Sequence, residues 1–500
     1  MKQAGDGAVG SEPVREVFVG RADADPGWMR VLDQERMDSR DDNARSAPVV
    51  VLSGPLPDWV VDFVEAGGVA VVSGAVADDP MLPPGFLATV TGFTAPGRAN
   101  RSHAPSLVTM FECGGEGELR LHEDRVVKYH VDPDRFPAVF TKRHGRGAVV
   151  ASGIPLTALL TAPGDCLRIF CDYSPVTERV ASADKSVIVD VLLGMLRTAF
   201  VLAGLPMVTM ARFPRGAPSV FILRVDVDGV YGENTQRLAT AATQQRIPAS
   251  FFLSGDYSRL HPGPLPSWDA DAEVGQHAWL HTLLHTREEN RENLQRAERW
   301  MREDLALTPR SFVAPRGLWN RGLGEALRDL GYRYSSDFGL DFDSLPFRSD
   351  AQVLQVPVHP YSPERAVVWA SEVGAAPPTV DAVRNHYLTA MQVQVRGGRP
   401  AHVYGHPEVL GKMAEGVLPA LGALADALKL PRITLGDYAD FWLRREKLTP
   451  RVHFDEGTAE VAVEVACGGV LLEMRSPVPV HLKVNGTRIG RVSSGSFMPT

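Results

Sequence analysis

Ser219-Val220-Phe221-Ile222-Leu223-Arg224-Val225-Asp226-Val227-Asp228-Gly229 is the stretch on which the reading of this chain turns. It begins as a near-continuous apolar run, the pattern of a strand buried on both faces. The run ends in two carboxylates two positions apart, which an extended chain places on one face. The carboxyl end of a parallel strand is where barrel and α/β enzymes set their chemistry. Two like charges so close are costly unless a cation compensates them. Taken alone, the Asp-x-Asp-Gly tetrapeptide reads equally as a plain turn.

Further along comes Glu273-Val274-Gly275-Gln276-His277-Ala278-Trp279-Leu280-His281 and then His285, so three of the 14 histidines fall within nine positions. Two imidazoles four residues apart can converge on one metal. A carboxylate added to them makes the two-His-one-carboxylate set, which leaves coordination positions open for water and substrate. His281-Thr282-Leu283-Leu284-His285 offers the same spacing. The flanking Glu273-Val274-Gly275 favours His277 with His281, leaving His285 beside the site or on the surface.

The chain has 500 residues, with 52 Lys plus Arg against 60 Asp plus Glu, a net charge of −8. That length exceeds one core, and two to four domains are expected. The acidic balance argues against nucleic-acid binding as the main role. Cys113, Cys166, Cys171 and Cys467 are too few and too scattered for a disulfide framework or a zinc ribbon. The most apolar stretch, 187–208, is interrupted by Asp190 and Arg197, so a buried helix is expected there and no membrane span. The first twenty residues include acidic ones and lack the apolar run of an export signal, which makes a cytoplasmic location the expectation.

Residues 1–45 read as a polar, partly ordered N-terminal extension. A βαβ unit follows. Val49 to Ser53 and Val69 to Ser73 are buried strands, Val60, Phe63 and Val64 mark a helix between them, and Gly67-Gly68 stops it. Ala148 to Ala151 adds a similar strand, so a parallel sheet covered on both faces is expected. The phrases "FVEAGGVAVVSG" and "HGRGAVVASG" resemble the class I glutamine amidotransferase-like, flavodoxin-type fold, over roughly residues 46–205. Where glutamine-hydrolysing members carry a Cys on a sharp turn, this chain has Ser73-Gly74-Ala75. The resemblance therefore implies a non-catalytic domain. A Pro- and Gly-rich linker at 205–218 leads into a second run of βα alternation, and residues 206–448 read as one domain. Residues 449–500 read as a small β-module, with Val461, Val463 and Val465 alternating and Val484-Asn485-Gly486-Thr487 as a hairpin signal.

The 219–444 stretch resembles the NodB-homology domain of the polysaccharide deacetylase family. "RVDVDG" (224–229) is similar to its first motif and "IPASFFLSG" (247–255) to its second strand. "EVGQHAWLH" (273–281) is similar to the H-x-x-x-H motif, "SFVAPRGLWN" (311–320) to the third motif, "GYRYSSD" (331–337) to the next strand and "HVYGHPE" (402–408) to the final histidine motif. The fold implied is a distorted (β/α) barrel of the NodB-homology type, preceded by the flavodoxin-like parallel α/β domain. Carried over residue by residue, the resemblance makes Asp226 the general base and His406 the general acid. It makes Asp228, His277 and His281 the ligands of one divalent metal ion, zinc foremost, with cobalt, nickel, iron or manganese as alternatives. The turn Pro315-Arg316-Gly317, with Trp319 beyond it, would meet the substrate and its oxyanion.

Two departures stand out. The Arg that precedes the third-motif Pro by two in the family is Val313 here, with Arg316 and Arg224 as possible replacements. The family's Asp-x-x-Asp-Trp is not readable, although Asp337, Asp341 and Asp343 are present and one of them could orient His406. The expected function is metal-dependent hydrolysis of the N-acetyl group of a sugar in a glycan or glycoconjugate precursor. The alternatives are a non-sugar amide or cyclic imide as substrate, or an inactive deacetylase fold serving as a binding module.

Overall fold

The computed structural model describes residues 14–54, 56–74, 117–122, 125–129, 139–152, 154–171, 174–183, 185–229, 232–256, 271–466 and 469–498. The decisive run forms β13 (Phe221–Val227), buried at every position. It lies inside an eight-stranded sheet made with β14 (Ser250–Leu253), β15 (Glu273–Gln276), β16 (Ser311–Phe312), β17 (Tyr334–Ser335), β18 (Phe347–Arg348), β19 (Leu354–Gln355) and β20 (Ala401–Gly405). The order is β18-β19-β17-β16-β15-β14-β13-β20, and β18 runs antiparallel to its neighbour β19 while the other pairings are parallel. The two edge strands do not meet, so the sheet is a curled half-barrel, consistent with a NodB-like fold. Helices α5 (Glu233–Gln244), α6 (Arg287–Leu305), α7 (Arg321–Asp329), α8 (Pro363–Val373), α9 (Val380–Arg396), α10 (Pro407–Ala427) and α11 (Leu435–Arg445) accompany it. Thr286 opens α6 with a capping box closed by Glu289, and Leu294, Ala297 and Met301 form its buried stripe.

A second sheet has the order β3-β2-β4-β5-β9-β8, from β2 (Val19–Arg21), β3 (Ser39–Arg40), β4 (Val49–Ser53), β5 (Val69–Ser73), β8 (Val139–His144) and β9 (Gly147–Ser152). It is parallel apart from β8. Helices α1 (Pro26–Glu35), α2 (Trp59–Glu65), α3 (Leu156–Thr161) and α4 (Lys185–Leu202) belong to this region. Helix α4 is the expected buried helix: its Asp190 is tied to Arg399 at 3.0 Å. No helix among the described residues is long and apolar enough to cross a membrane.

Residues 14–45 are not a loose extension. Asp25 caps α1 by accepting from the amides of Gly27 and Trp28, and Trp28, Val31 and Leu32 are buried. The charged run at 38–45 is preceded by a short amphipathic helix and by a strand, β2, that needs the sheet to be stable. The remaining piece, β1 (Arg15–Val17), joins the C-terminal sheet of β21 (Arg451–Asp455), β22 (Glu460–Glu464), β23 (Leu472–Val484) and β24 (Thr487–Phe497). The segment read as a linker supplies that sheet with β12 (Met207–Met210), antiparallel to β23. Asn485 and Gly486, at φ 48 and 79, make the β23–β24 turn, the positive-φ pair that a two-residue hairpin requires. Two hairpins complete the set: β6 (Gly117–His122) with β7 (Arg125–Tyr129), and β10 (Asp165–Cys171) with β11 (Ser174–Ala181).

Candidate active site

Strand β13 places Arg224, Asp226 and, just past its end, Asp228 at alternating positions and so on one face. Arg224 is fully buried and Asp226 is 3% exposed. The guanidinium grips the carboxylate bidentately, Nε to Oδ1 at 2.7 Å and Nη2 to Oδ2 at 2.6 Å, and its Nη1 donates to the Ser336 carbonyl at 2.7 Å. The Tyr404 ring, 5.0 Å from the guanidinium carbon, backs it. Burial alone would raise the Asp226 carboxyl, but Arg224 and the imidazoles of His277 and His406 hold it below the ordinary carboxylate range. Arg224 thus takes the steadying place left open by Val313. Arg316 is exposed and stands apart from this pair.

His277 follows β15 directly. Ala278 next to it adopts φ 64, a left-handed conformation that turns the chain so His281 can come back to the same spot. His277 Nδ1 lies 2.8 Å from the Val313 carbonyl, which can only accept, so the proton sits on Nδ1 and the Nε2 lone pair faces inward. His277 Nε2 is 3.2 Å and His281 Nε2 3.1 Å from Asp228 Oδ1, and the two Nε2 atoms are 3.2 Å apart. One proton on His281 could serve a single one of these contacts, never all three. Buried Asp228 Oδ1 lacks a hydrogen-bond donor in good geometry. Three lone-pair atoms turned on one another, with one imidazole oriented from behind by a carbonyl, fit a divalent cation. Asp228, His277 and His281 would hold it. His285 is exposed and outside the group.

His406 closes the far side. Its Nε2 is 3.4 Å from Asp228 Oδ2, and its Nδ1 is 3.1 Å from Glu364 Oε2 and 3.2 Å from Ser362 Oγ. Glu364 is itself fixed, its Oε1 accepting from the Leu410 amide at 3.1 Å. Burial would lower the His406 imidazole, yet the Asp228 and Glu364 carboxylates outweigh it and push it up to about 10.

The carboxylate that orients His406 is therefore Glu364, and none of the three Asp considered from sequence. Asp337 is buried and accepts from the Ala314 amide at 2.8 Å and from Ser335; burial pushes its carboxyl up to about 6. Asp341 pairs with Arg30 of α1, and Asp343 accepts from Ser186 Oγ at 2.8 Å, so both face the N-terminal region. The only sequence signal for Glu364 was Ser-Pro-Glu opening a helix, which reads as an ordinary first-turn acid.

In the third-motif turn, Pro315 has no N–H, and the Gly317 amide donates to the Ala314 carbonyl at 2.9 Å. Gly317 cannot serve an oxyanion in this geometry, and the Arg316 N–H is the donor that remains. Gly317 sits at φ 63, and a Cβ there would lie 2.5 Å from the Phe338 ring. Trp319 is half-buried and packs against Gly324 of α7.

No curated protein matches the chain. Among solved structures it is similar to a protein from Mycobacterium smegmatis assigned as a polysaccharide deacetylase, at 19% identity over 48% of this chain and 94% of that one, TM-score 0.39. It is similar to the chitin deacetylase of the fungal pathogen Colletotrichum lindemuthianum, at 17% identity over 45% and 89%, TM-score 0.34. A carbohydrate esterase family 4 pseudoenzyme from Bacillus anthracis is similar at 17% identity over 46% and 67%, TM-score 0.29. The family model for polysaccharide deacetylase matches residues 216–335, the segment that carries Arg224, Asp226, Asp228, His277, His281 and the Pro315–Gly317 turn. Over that segment the chain is similar to the polysaccharide deacetylase family.

Proposed function

We propose that the protein is a metal-dependent hydrolase that removes the N-acetyl group from an amino sugar in a glycan or glycoconjugate. The observation that carries the reading is the convergence of Asp228, His277 and His281 between a carboxylate steadied by Arg224 and an imidazole steadied by Glu364. A divalent cation at the three ligands supplies Lewis acidity toward an amide carbonyl and toward water. Asp226, kept ionised by Arg224, has a lone pair left on each oxygen and takes the proton of the attacking water. His406 carries a proton on Nε2 and delivers it to the departing nitrogen, while Glu364 holds Nδ1–H and fixes the ring plane. The Arg316 N–H is the donor proposed for the oxyanion. Zinc is the metal that two imidazoles and one carboxylate favour, though geometry alone also admits cobalt, nickel, iron or manganese. The N-terminal sheet is proposed as a flavodoxin-type platform without chemistry of its own.

Retention of all five reacting side chains in one cluster speaks against an inactive binding module. The test is elemental analysis of the purified chain together with acetate release from a panel of N-acetyl sugars, a linear non-sugar amide and a cyclic imide. Stoichiometric divalent metal with acetate from a sugar is the expected result. Turnover of the imide alone would replace the sugar reading, and metal with no turnover of any substrate would sink both.

A further inference from the structure

The turn proposed to hold the oxyanion is strained in itself. Arg316 and Gly317 both take left-handed backbone, at φ 60 and 63, a conformation that a bulky residue such as Arg316 rarely adopts. Such a turn persists only where its surroundings over-determine it. Here the loop at 336–339 does so. The Asp337 carboxylate accepts from the Ala314 amide at 2.8 Å, and the Gly339 amide donates to the Gly317 carbonyl at 2.8 Å. The Phe338 ring closes on Gly317. One residue earlier, the Ser336 carbonyl accepts from Arg224 at 2.7 Å, so the same loop also steadies the guanidinium that grips Asp226.

The loop runs on to Pro346, and over that half it is held by the N-terminal region. Lys185 Nζ, at the start of α4, donates to the Leu340 carbonyl at 3.3 Å, and Ser186 Oγ donates to Asp343 at 2.8 Å. Arg30 of α1 pairs with Asp341, whose side chain is fully buried, and its guanidinium carbon lies 3.7 Å from the centre of the Phe347 ring. Gln34, four residues on and so on the same face of α1, donates through Nε2 to the Leu345 and Pro346 carbonyls at 3.0 and 3.2 Å. Residues 340–346 form neither helix nor strand, so these bonds take the place of a ladder in fixing them. Parting Arg30 from Asp341 would leave a buried charge uncompensated, which commits the loop to this anchor. We propose that α1 and α4 are positioning elements of the reaction, holding residues 340–346 and, through that loop, the third-motif turn and Arg224. Arg30 and Gln34 are its positioning residues. The proposal rests on the deacetylase reading above, and it gives the N-terminal region a part in the site without chemistry of its own.

The experiment follows acetate release from an N-acetylglucosamine tetrasaccharide and, in parallel, amide hydrogen exchange of the 311–320 segment by mass spectrometry, both on the full chain. The variants are Gln34→Leu and the pair Arg30→Met with Asp341→Asn, which leaves no buried charge unpaired. Each should lower kcat per folded molecule about 10-fold, a part of the roughly 10²-fold that a misplacement of about 1 Å costs, with KM and metal content at native levels. Exchange in 311–320 should quicken about 10-fold while that of β4 stays as in the native chain. Arg30→Lys, which keeps a cation for Asp341, should stay within about 3-fold of the native kcat. A lower melting temperature with native kcat per folded molecule and native exchange in 311–320 makes the contacts structural only; that overturns the proposal and leaves the deacetylase reading standing. A rise in KM at unchanged kcat does the same. Faster exchange in 311–320 of the variants, when the native chain itself releases no acetate, supports the hold of α1 on the turn and overturns the deacetylase reading instead.

Discussion

At the carboxyl ends of β4, β5 and β9 stand Ser53, Ser73 and Ser152 in one register row, while the ends of β13 and β15 carry Asp226 and His277. Both rows sit where parallel sheets place ligands. In the serine row the polar groups satisfy one another: Ser53 Oγ meets Thr157 Oγ1 at 3.1 Å, Ser73 Oγ accepts from the Thr157 amide at 3.1 Å, and Ser152 Oγ accepts from the Ile154 amide at 3.1 Å. In the other row Asp228, His277 and His281 turn lone pairs on one another. Strand ends are therefore permissive and no more; what distinguishes a reacting row is titratable groups whose lone pairs converge on one point.

The sharpest way to break the comparison is to remove a ligand. Asp228→Ala, His277→Ala and His281→Ala should each abolish both bound metal and turnover, since three protein ligands leave none to spare. His285→Ala should keep the metal. Elemental analysis that showed the reverse, with His285 needed and His277 not, would shift the binding pair by one motif.

Arg224 comes next, because it compensates a buried carboxylate and is not merely near one. Arg224→Met strands Asp226 at 3% exposure and should lower unfolding free energy by about 3–5 kcal/mol in urea titration. Adding Asp226→Asn to that variant should recover part of the loss. A single variant as stable as the native chain would mean the pair contributes nothing. Asp226→Asn by itself should retain the metal and lower turnover by about 10²-fold or more, the scale of a lost general base. If the metal leaves with that substitution, Asp226 is a ligand.

Which of these groups could be read from the chain follows from how local their signals are. Asp226 and Asp228 end an apolar run, and His277 and His281 sit four apart after a strand, so spacing made them candidates, while the resemblance to the deacetylase motifs separated them from a plain turn and from His285. The Asn485-Gly486 turn was equally plain. Glu364 was not, because its meaning depends on α8 arriving beside His406, a contact 42 residues apart in sequence. The same holds for β1, β2 and β12, whose three or four residues have too little period to register until a sheet supplies their partners. Hairpin β10–β11 was hidden for a different reason: Phe170, Cys171 and Val180 find their apolar partners only in distant residues such as Phe221, Leu223 and Phe342.

Two buried titratable groups near the reacting row give it a pH signature that the serine row lacks. Asp337 is pushed up to about 6 by burial, against roughly 3.9 when unfolded. Between those values the folded chain keeps a proton that the unfolded chain has lost, so this group's contribution falls as pH rises through the window. His402 is pulled down to about 3 by burial, against roughly 6.5 when unfolded. Its contribution is complete above about 6.5 and is lost as pH falls toward 3, because the unfolded chain then takes a proton the folded one refuses. From about 4 to 6 the two slopes oppose each other. Asp337→Asn should expose the His402 slope, up to about 1.4 kcal/mol per pH unit, with stability rising with pH. Urea titrations at several pH values that gave parallel curves for the variant and the native chain would remove Asp337 from this account.

The smallest effect is the control that gives the comparison its meaning. Ser73 Oγ accepts from both the Thr157 amide and, at 3.3 Å, the Thr157 hydroxyl, and Ser73 is 1% exposed. Ser73→Ala leaves the Thr157 amide without its partner at the start of α3, and the cost of such an orphaned buried donor is about 1–3 kcal/mol. That loss belongs to folding alone. The variant should melt earlier and yet bind the same amount of metal, with acetate release per folded molecule at the native level. A fall in turnover beyond the folded fraction would show that the serine row takes part in the chemistry after all, and the contrast between the two strand ends would have to be drawn somewhere else.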